Sequence, residues 1–282
     1  MKIKITADST CDLSAELLQK WDITLMPMHI LMGEDSYLDG VTIHPADVFT
    51  YVNGGGKMPK SAAANLVEYA EFFGNYTGDY DAVIHISVSS KLSSCYQNAK
   101  LAAEDFANVY VVDSGTAAIG TGILAEYALT CIDRGMDAAA LVRELTEKRE
   151  DVCVLALVDT LEYLKRGGRI SKTTALAGGL LNIKPVLTIE KGEILLIGKA
   201  RGSRQGNNLL VEKIRACGGI DFQLPILLGY TGLTDVFLKK YVEDSRALWE
   251  NGVDGLESTL IGGVIGTHAG PGAIAVAFFR RG

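Results

Sequence analysis

Residues 81–113 read DAVIHISVSSKLSSCYQNAKLAAEDFANVYVVD. Two short apolar runs, Asp81–Ser87 and Val109–Asp113, carry no Lys, Arg or Glu and are rich in β-branched residues. That is the composition of strands covered on both faces. Between them, Ser94–Phe106 has the length and the small, polar and apolar mixture of a helix. Strands alternating with helices of about this length predict a parallel sheet with helices on both faces.

The alternation continues outward. Toward the N-terminus, Lys2–Thr6 reads as an alternating strand, and Ser14 caps a helix through Trp21 with Glu16 in its first turn. Ile23–Met32 is an apolar, strand-like run, followed by a hairpin turn over Glu34–Gly40. A short helix over Pro45–Val52 is broken by Asn53–Lys57, and another runs from Leu66 to Tyr76. Toward the C-terminus, a long helix spans Ala117–Arg134 and ends at Gly135, and Asp137 caps a helix to Arg149.

Past residue 150 the pattern changes. Val152–Val158 is a strand, and Lys165–Lys172 is a basic loop containing Gly167-Gly168. Pro185–Glu190 and Glu193–Lys199 flank Lys191-Gly192 as an antiparallel hairpin. Helices near Asn207–Ala216 and Val236–Glu250 alternate with strands near Pro225–Tyr230, Leu256–Gly262 and Ala273–Phe279. A hairpin inside an α/β pattern requires a mixed sheet. The expected organisation is α/β in two domains, 1–150 with a parallel sheet and 151–282 with a mixed sheet.

The bulk properties narrow the function. With 282 residues, 48% hydrophobic and 22% charged, the chain can bury a large core and is not of disordered composition. A net charge of -7 argues against a general nucleic-acid binder, which needs a basic footprint. No apolar signal core follows Met1 and no apolar run is long enough to span a membrane, so a cytoplasmic protein is expected. Cys11, Cys95, Cys131, Cys153 and Cys217 are odd in number and widely spaced, and read as reduced thiols with no disulfide framework and no metal site.

Three strands of the first half end in hydroxyls and carboxylates: Asp8-Ser9-Thr10, then Ser87, Ser89 and Ser90, then Asp113-Ser114. Open parallel sheets bind ligands beyond the carboxyl ends of their strands. The same residues also serve as ordinary helix caps, and this pattern alone leaves both readings open. Gly120–Ala125 fits Gly-x-Gly-x-x-Ala, but it begins inside the expected helix and not at its entry. It therefore reads as close helix packing and not as a dinucleotide loop.

Seven segments, taken in order, resemble the DegV family. They are Thr6–Leu13 (TADSTCDL), Pro59-Lys60-Ser61, Ser89–Gln97 (SSKLSSCYQ), Asp159–Ser171 (DTLEYLKRGGRIS), Asn182-Ile183-Lys184-Pro185, Lys199-Ala200-Arg201-Gly202 and Gly266–Gly272 (GTHAGPG). Together they cover nearly the whole chain. The resemblance implies a Rossmann-like first domain, a second α/β domain with a mixed sheet, and one long-chain fatty acid such as palmitate, stearate or oleate in an internal apolar cavity. It implies that Ser61, Ser93 and His268 hold the carboxylate near the domain junction, with Ser94 and Thr267 beside them in the same motifs. It also implies that Arg169 and Arg201 touch the carboxylate network, a partner or a phosphate. The sequence departs from the family at Ala62-Ala63-Ala64, where many members have Ser-Gln-Pro. It departs again at Ser94-Cys95, where many have Gly-Thr, and this second change bears on a backbone amide near the carboxylate.

By the same resemblance the chain is a carrier and not an enzyme. A separate fatty acid kinase, supplying ATP and metal, would phosphorylate the bound carboxylate, and this chain would hold no cofactor. Lys165, Arg166, Arg169 and Lys172 would give transient contact with an anionic membrane surface. The energetics suit a carrier. About fifteen buried methylenes at ~0.8 kcal/mol each give on the order of 10 kcal/mol before association costs are subtracted. The carboxylate then needs donors, because an unpaired buried charge is very costly. The alternative is a serine hydrolase acting on an acyl ester, with Ser93, His268 and Asp8 or Asp113. No Gly-x-Ser-x-Gly surrounds any serine. His268 lies in a glycine-rich loop, Gly266–Gly272, and reads as functional, whereas His29, His44 and His85 read as structural or surface residues.

Overall fold

The computed structural model describes residues 1–170, 182–249 and 252–281. The first half runs β1 (Ile3–Asp8), α1 (Ala15–Trp21), β2 (Thr24–Met26), β3 (His29–Met32), β4 (Asp35–Leu38), α2 (Pro45–Asn53), β5 (Lys60–Ala62), α3 (Leu66–Gly74), β6 (Ala82–Ser87), α4 (Cys95–Ala103), β7 (Val109–Asp113), α5 (Ile119–Asp133) and α6 (Ala138–Lys148). The second runs β8 (Val152–Leu157), α7 (Glu162–Arg166), β9 (Ile183–Glu190), β10 (Glu193–Arg201), α8 (Gly202–Ala216), β11 (Leu227–Tyr230), α9 (Val236–Asp244), β12 (Ser258–Leu260), α10 (Gly263–Ala269) and β13 (Ile274–Phe279).

Among the described residues these strands form three sheets. A Rossmann-like sheet, ordered β2-β1-β6-β7, is parallel throughout. A separate mixed sheet, ordered β10-β9-β8-β13-β11-β12, is antiparallel except for the β11–β12 pair. A small antiparallel sheet, β4-β3-β5, lies apart from both. The α/β class, the parallel first sheet and the hairpin β9–β10 agree with the sequence reading.

Three local expectations are corrected. The run Ile23–Met32 is two strands. β2 pairs with β1, and β3 leaves for the small sheet after Pro27, which has no amide hydrogen with which to continue a ladder. The segment Gly266–Gly272 is not wholly a loop, because His268 sits on α10, which ends at Gly270 with φ 73°. The glycines of α10 are packing residues. A Cβ at Gly266 would lie 2.8 Å from the Phe49 ring, and one at Gly263 2.5 Å from Ile30 Cδ1. Finally, α7 turns part of the basic loop into helix. Lys172 and Glu250 lie outside the described residues.

The core is continuous across the two large sheets. α5, fully buried from Ile119 to Ala125, packs Ile119, Ile123 and Leu124 into one cluster. That cluster also contains Ile5, Ala7, Ile84 and Ile86 of the parallel sheet and Val154, Ala275 and Ala277 of the mixed sheet. Glycine permits this approach. A Cβ at Gly120 would collide with Val154 and would lie 2.6 Å from Thr116 Oγ1, and one at Gly122 would lie 2.6 Å from the Cys11 carbonyl oxygen. The Gly-x-Gly pattern therefore serves helix packing, as its position in the sequence indicates.

A Gly122→Ala variant forces α5 away from the Cys11 turn. Overpacking of this kind costs about 2 kcal/mol. Urea unfolding should show a lower midpoint with an unchanged slope, and a midpoint equal to wild type would show that the contact is soft.

Candidate functional site

The hydroxyls and carboxylates at the strand ends are mostly engaged with one another. The Asp8 carboxylate accepts hydrogen bonds from the Tyr69 hydroxyl, from Ser87 Oγ at 2.7 Å and from the Val88 amide at 2.8 Å, and His85 Nε2 lies 3.1 Å away. Burial raises its pKa, but the bonds from His85, Tyr69 and Ser87 outweigh burial and hold the carboxyl below its ordinary value. Asp113 accepts from the amides of Ser90 and Gly115. Ser89 Oγ donates to the Gly192 carbonyl at 2.8 Å, tying this edge to the β9–β10 turn. None of these groups caps a helix through its side chain; they tie the strand ends and loops of this edge to one another.

The site lies just beyond that edge. α10 begins against two buried carboxylates: Asp12 Oδ1 accepts from the Gly262 amide at 2.8 Å, and Asp39 Oδ1 accepts from the Gly263 amide at 3.0 Å. Asp39 Oδ2 also accepts from Ser9 Oγ, which in turn accepts from the Met28 amide. Desolvation raises the pKa of both aspartates, Asp12 strongly. The helix amides pull the other way. The opposite end of α10 carries His268. Sequence reasoning missed Asp12 and Asp39, whose partners are 250 and 224 residues away along the chain.

Beside α10 is an apolar cavity between the sheets, holding about 900 Å³ of space free of atoms, part of it open to solvent. Its walls include Ala117 and Ala118 before α5, Val154 and Ala156 of β8, Ile189 of β9 and Val264 of α10. Leu92, Ser93, Arg169 and Ile194 line both this cavity and an adjoining polar cleft, so they mark its mouth.

Ser61, His268, Arg169 and Ser93 are polar side chains of this wall. Ser61, placed by β5 opposite Ile30, has its Oγ 2.7 Å from His268 Nε2. The Nδ1 of His268 is buried without a partner among the described residues, and a Cβ at Gly167 would collide with it. Burial, followed by the nearby Arg169 charge, lowers the His268 pKa to about 4, so the ring is neutral at pH 7. Arg169 donates from Nε to the Leu92 carbonyl at 3.1 Å and from an Nη to the Gly167 carbonyl at 2.7 Å. No carboxylate pairs with it among the described residues. Ser93 Oγ accepts from the Cys95 amide at 3.3 Å and donates to Cys95 Sγ at 3.2 Å, so it both caps α4 and lines the cavity.

Of the residues expected from sequence, Ser61, Ser93, Arg169 and His268 meet at this wall. Ser94 is exposed and lines the outer cleft only. Thr267 is buried, and its hydroxyl donates to the Gly263 carbonyl within α10 and lines neither cavity nor cleft. Arg201 is exposed at the end of β10 and also lines neither. Thr10 lines the cavity and was not singled out as a ligand residue.

Comparison with known proteins bears on the family and the fold. Residues 2–281 match the family model described as an uncharacterised protein, DegV family. A DegV domain-containing protein of Clostridium perfringens is 33% identical over 284 residues, with 99% of each chain covered. Among solved structures, a DegV family protein from Thermus thermophilus described for its fatty acid binding superposes with a TM-score of 0.89 at 31% identity, covering 99% of this chain and 100% of that one. A stearic acid-binding protein from Eubacterium ventriosum gives 0.87 at 26% identity, covering 99% and 98%.

The lowered His268 pKa has a definite sign. The unfolded chain protonates this imidazole below about pH 6.5, and the folded chain only below about 4. The resulting stability is complete above pH 6.5 and is lost as the pH falls toward 4, by roughly 3 kcal/mol at most. Asp12 and Asp39, with raised pKa values, slope the other way, so the difference between wild type and His268→Gln isolates the histidine. Unfolding free energies across that window should converge at low pH, and a constant difference would show that His268 titrates normally.

Proposed function

Because the chain belongs to the DegV family, we propose that it binds one long-chain fatty acid with the acyl chain in the apolar cavity and the carboxylate at its mouth. The observation that carries this reading is the segregation of the wall. Aliphatic and small residues make up most of the wall, which carries the bonded pair Ser61 and His268, with Arg169 and Ser93 where the cavity meets the outer cleft. A carboxylate leaving water requires donors, and two hydroxyls and a guanidinium with N–H groups unengaged among the described residues supply them. The neutral imidazole orients Ser61. When Nε2 carries the ring proton it donates to Ser61 Oγ and leaves the Ser61 proton free for the ligand.

The protein is a cytoplasmic carrier in this reading. Residues 1–150 supply the wall that bears Ser61 and Ser93, and residues 151–282 the wall that bears Arg169 and His268. The exposed carboxylate is presented to a separate fatty acid kinase, whose ATP gives up its terminal phosphoryl group to a carboxylate oxygen, yielding acyl phosphate and ADP. Lys165 and Arg166 at the end of α7 favour brief contact with an anionic membrane surface during loading. The geometry supports carriage over ester hydrolysis. Among the described residues no acid stands behind His268, Ser93 is paired with Cys95 and not with the histidine, and Asp8 and Asp113 are occupied elsewhere.

Calorimetric titration of the delipidated protein with oleate should reach saturation at one equivalent. Ser61→Ala and His268→Gln should each weaken binding about tenfold, the scale of a hydrogen bond to a charged group. Methyl oleate should bind weakly to all three proteins alike. With a fatty acid kinase and ATP, Ser93→Ala should lower acyl-phosphate formation well beyond the small drop in melting temperature that loss of its bond to the Cys95 amide causes. Absence of saturable binding, or variants indistinguishable from wild type with oleate, contradicts the reading.

A further inference from the structure

We propose that the inner part of the cavity is a second, polar subsite read by the Thr10 hydroxyl, and that it takes an acyl chain bearing one oxygen substituent, hydroxyl or keto, near its middle. The proposal rests on the carrier reading above.

Thr10 is 1% exposed and lines the cavity, yet its Oγ1 has no hydrogen-bond partner among the described residues. Its neighbours are satisfied: Thr6 meets His85, Ser9 donates to Asp39, and Ser87 donates to Asp8. Thr116 and Tyr241 also bear unpartnered buried hydroxyls, but neither lines the cavity. Buried hydroxyls almost always find a partner, and valine would fill the same volume without the penalty. A threonine held in an apolar wall is therefore matched to something that enters the cavity.

The position of Thr10 is fixed, and it lies away from the mouth. It occupies the single turn Ser9–Cys11 after β1. On one side Ser9 is tied through Asp39 to the Gly263 amide, and on the other Asp12 holds the Gly262 amide. Thr10 thus sits at the start of α10, whose far end carries His268. A seven-residue helix is on the order of 10 Å long, so a carboxylate beside His268 places Thr10 near the middle of an eighteen-carbon chain. The same wall includes the small Ala117 and Ala118 and the flexible Met28, which leaves room for a substituent that a straight alkyl chain lacks. A hydroxyl or keto oxygen there would accept the Thr10 proton, which a methylene cannot do.

The test is a comparison of stearate and 10-hydroxystearate binding to the delipidated full chain in wild type, Thr10→Val and Thr10→Ser. The preference for 10-hydroxystearate, expressed as the ratio of the two dissociation constants, should fall about fivefold in Thr10→Val and be retained in Thr10→Ser. Stearate itself should bind Thr10→Val at least as tightly as wild type, which also reports that the variant is folded. An unchanged ratio in Thr10→Val, with stearate still bound, overturns the subsite and leaves the carrier reading intact. Failure of wild type to bind either acid overturns the carrier reading and this inference with it.

Discussion

Two hydrogen bonds from the first amides of one short helix to buried carboxylates hold the site together. Gly262 and Gly263 donate to Asp12 and Asp39, which belong to the turn after β1 and to the end of the β3–β4 hairpin. Through them the N-terminal sheet grips an element that lies between β12 and β13 of the other sheet. α10 then runs back along the cavity and delivers His268 to Ser61 at its far end. If this grip is lost, the histidine, the serine and the cavity wall have no common frame. The glycines of α10 belong to the same constraint, because a side chain at Gly263 or Gly266 would push the helix off Ile30 and Phe49.

The cavity exists because two sheets share one core without closing against each other everywhere. α5 fills the seam on one side, brought close by Gly120 and Gly122. On the other side small and aliphatic residues face each other across open space. Beyond the carboxyl ends of a parallel sheet is where such a site is expected. Most strand-end polar groups are spent on holding the edge rigid, as the Asp8 cluster shows. A few other polar side chains are left to line the cavity. Burial first, and the nearby Arg169 charge second, keep the His268 imidazole neutral.

Much of this was legible in the sequence, because the two periodicities are strong where burial is two-sided. The run DAVIHIS, the run VYVVD and the hairpin around Lys191-Gly192 gave the parallel and mixed sheets directly. The motif positions brought Ser61, Ser93, Arg169 and His268 to one wall. What failed was non-local or masked by composition. α10 is so rich in glycine that it read as a loop, and β5 is three residues long and exists only because β3 offers it an edge. Nothing near Asp12 or Asp39 in the chain announces a helix some 220 to 250 residues later. Thr267 shared a motif with His268, yet successive residues on a helix point to different faces, and its hydroxyl turned back to Gly263.

The central claim is that this fold encloses one fatty acid, and the most direct measurement is the native mass of the purified chain followed by lipid analysis after denaturation. One fatty acid per chain is expected, acquired from the producing cell without addition and released when the protein unfolds. A mass equal to the bare polypeptide, unchanged after incubation with palmitate or oleate, would contradict it.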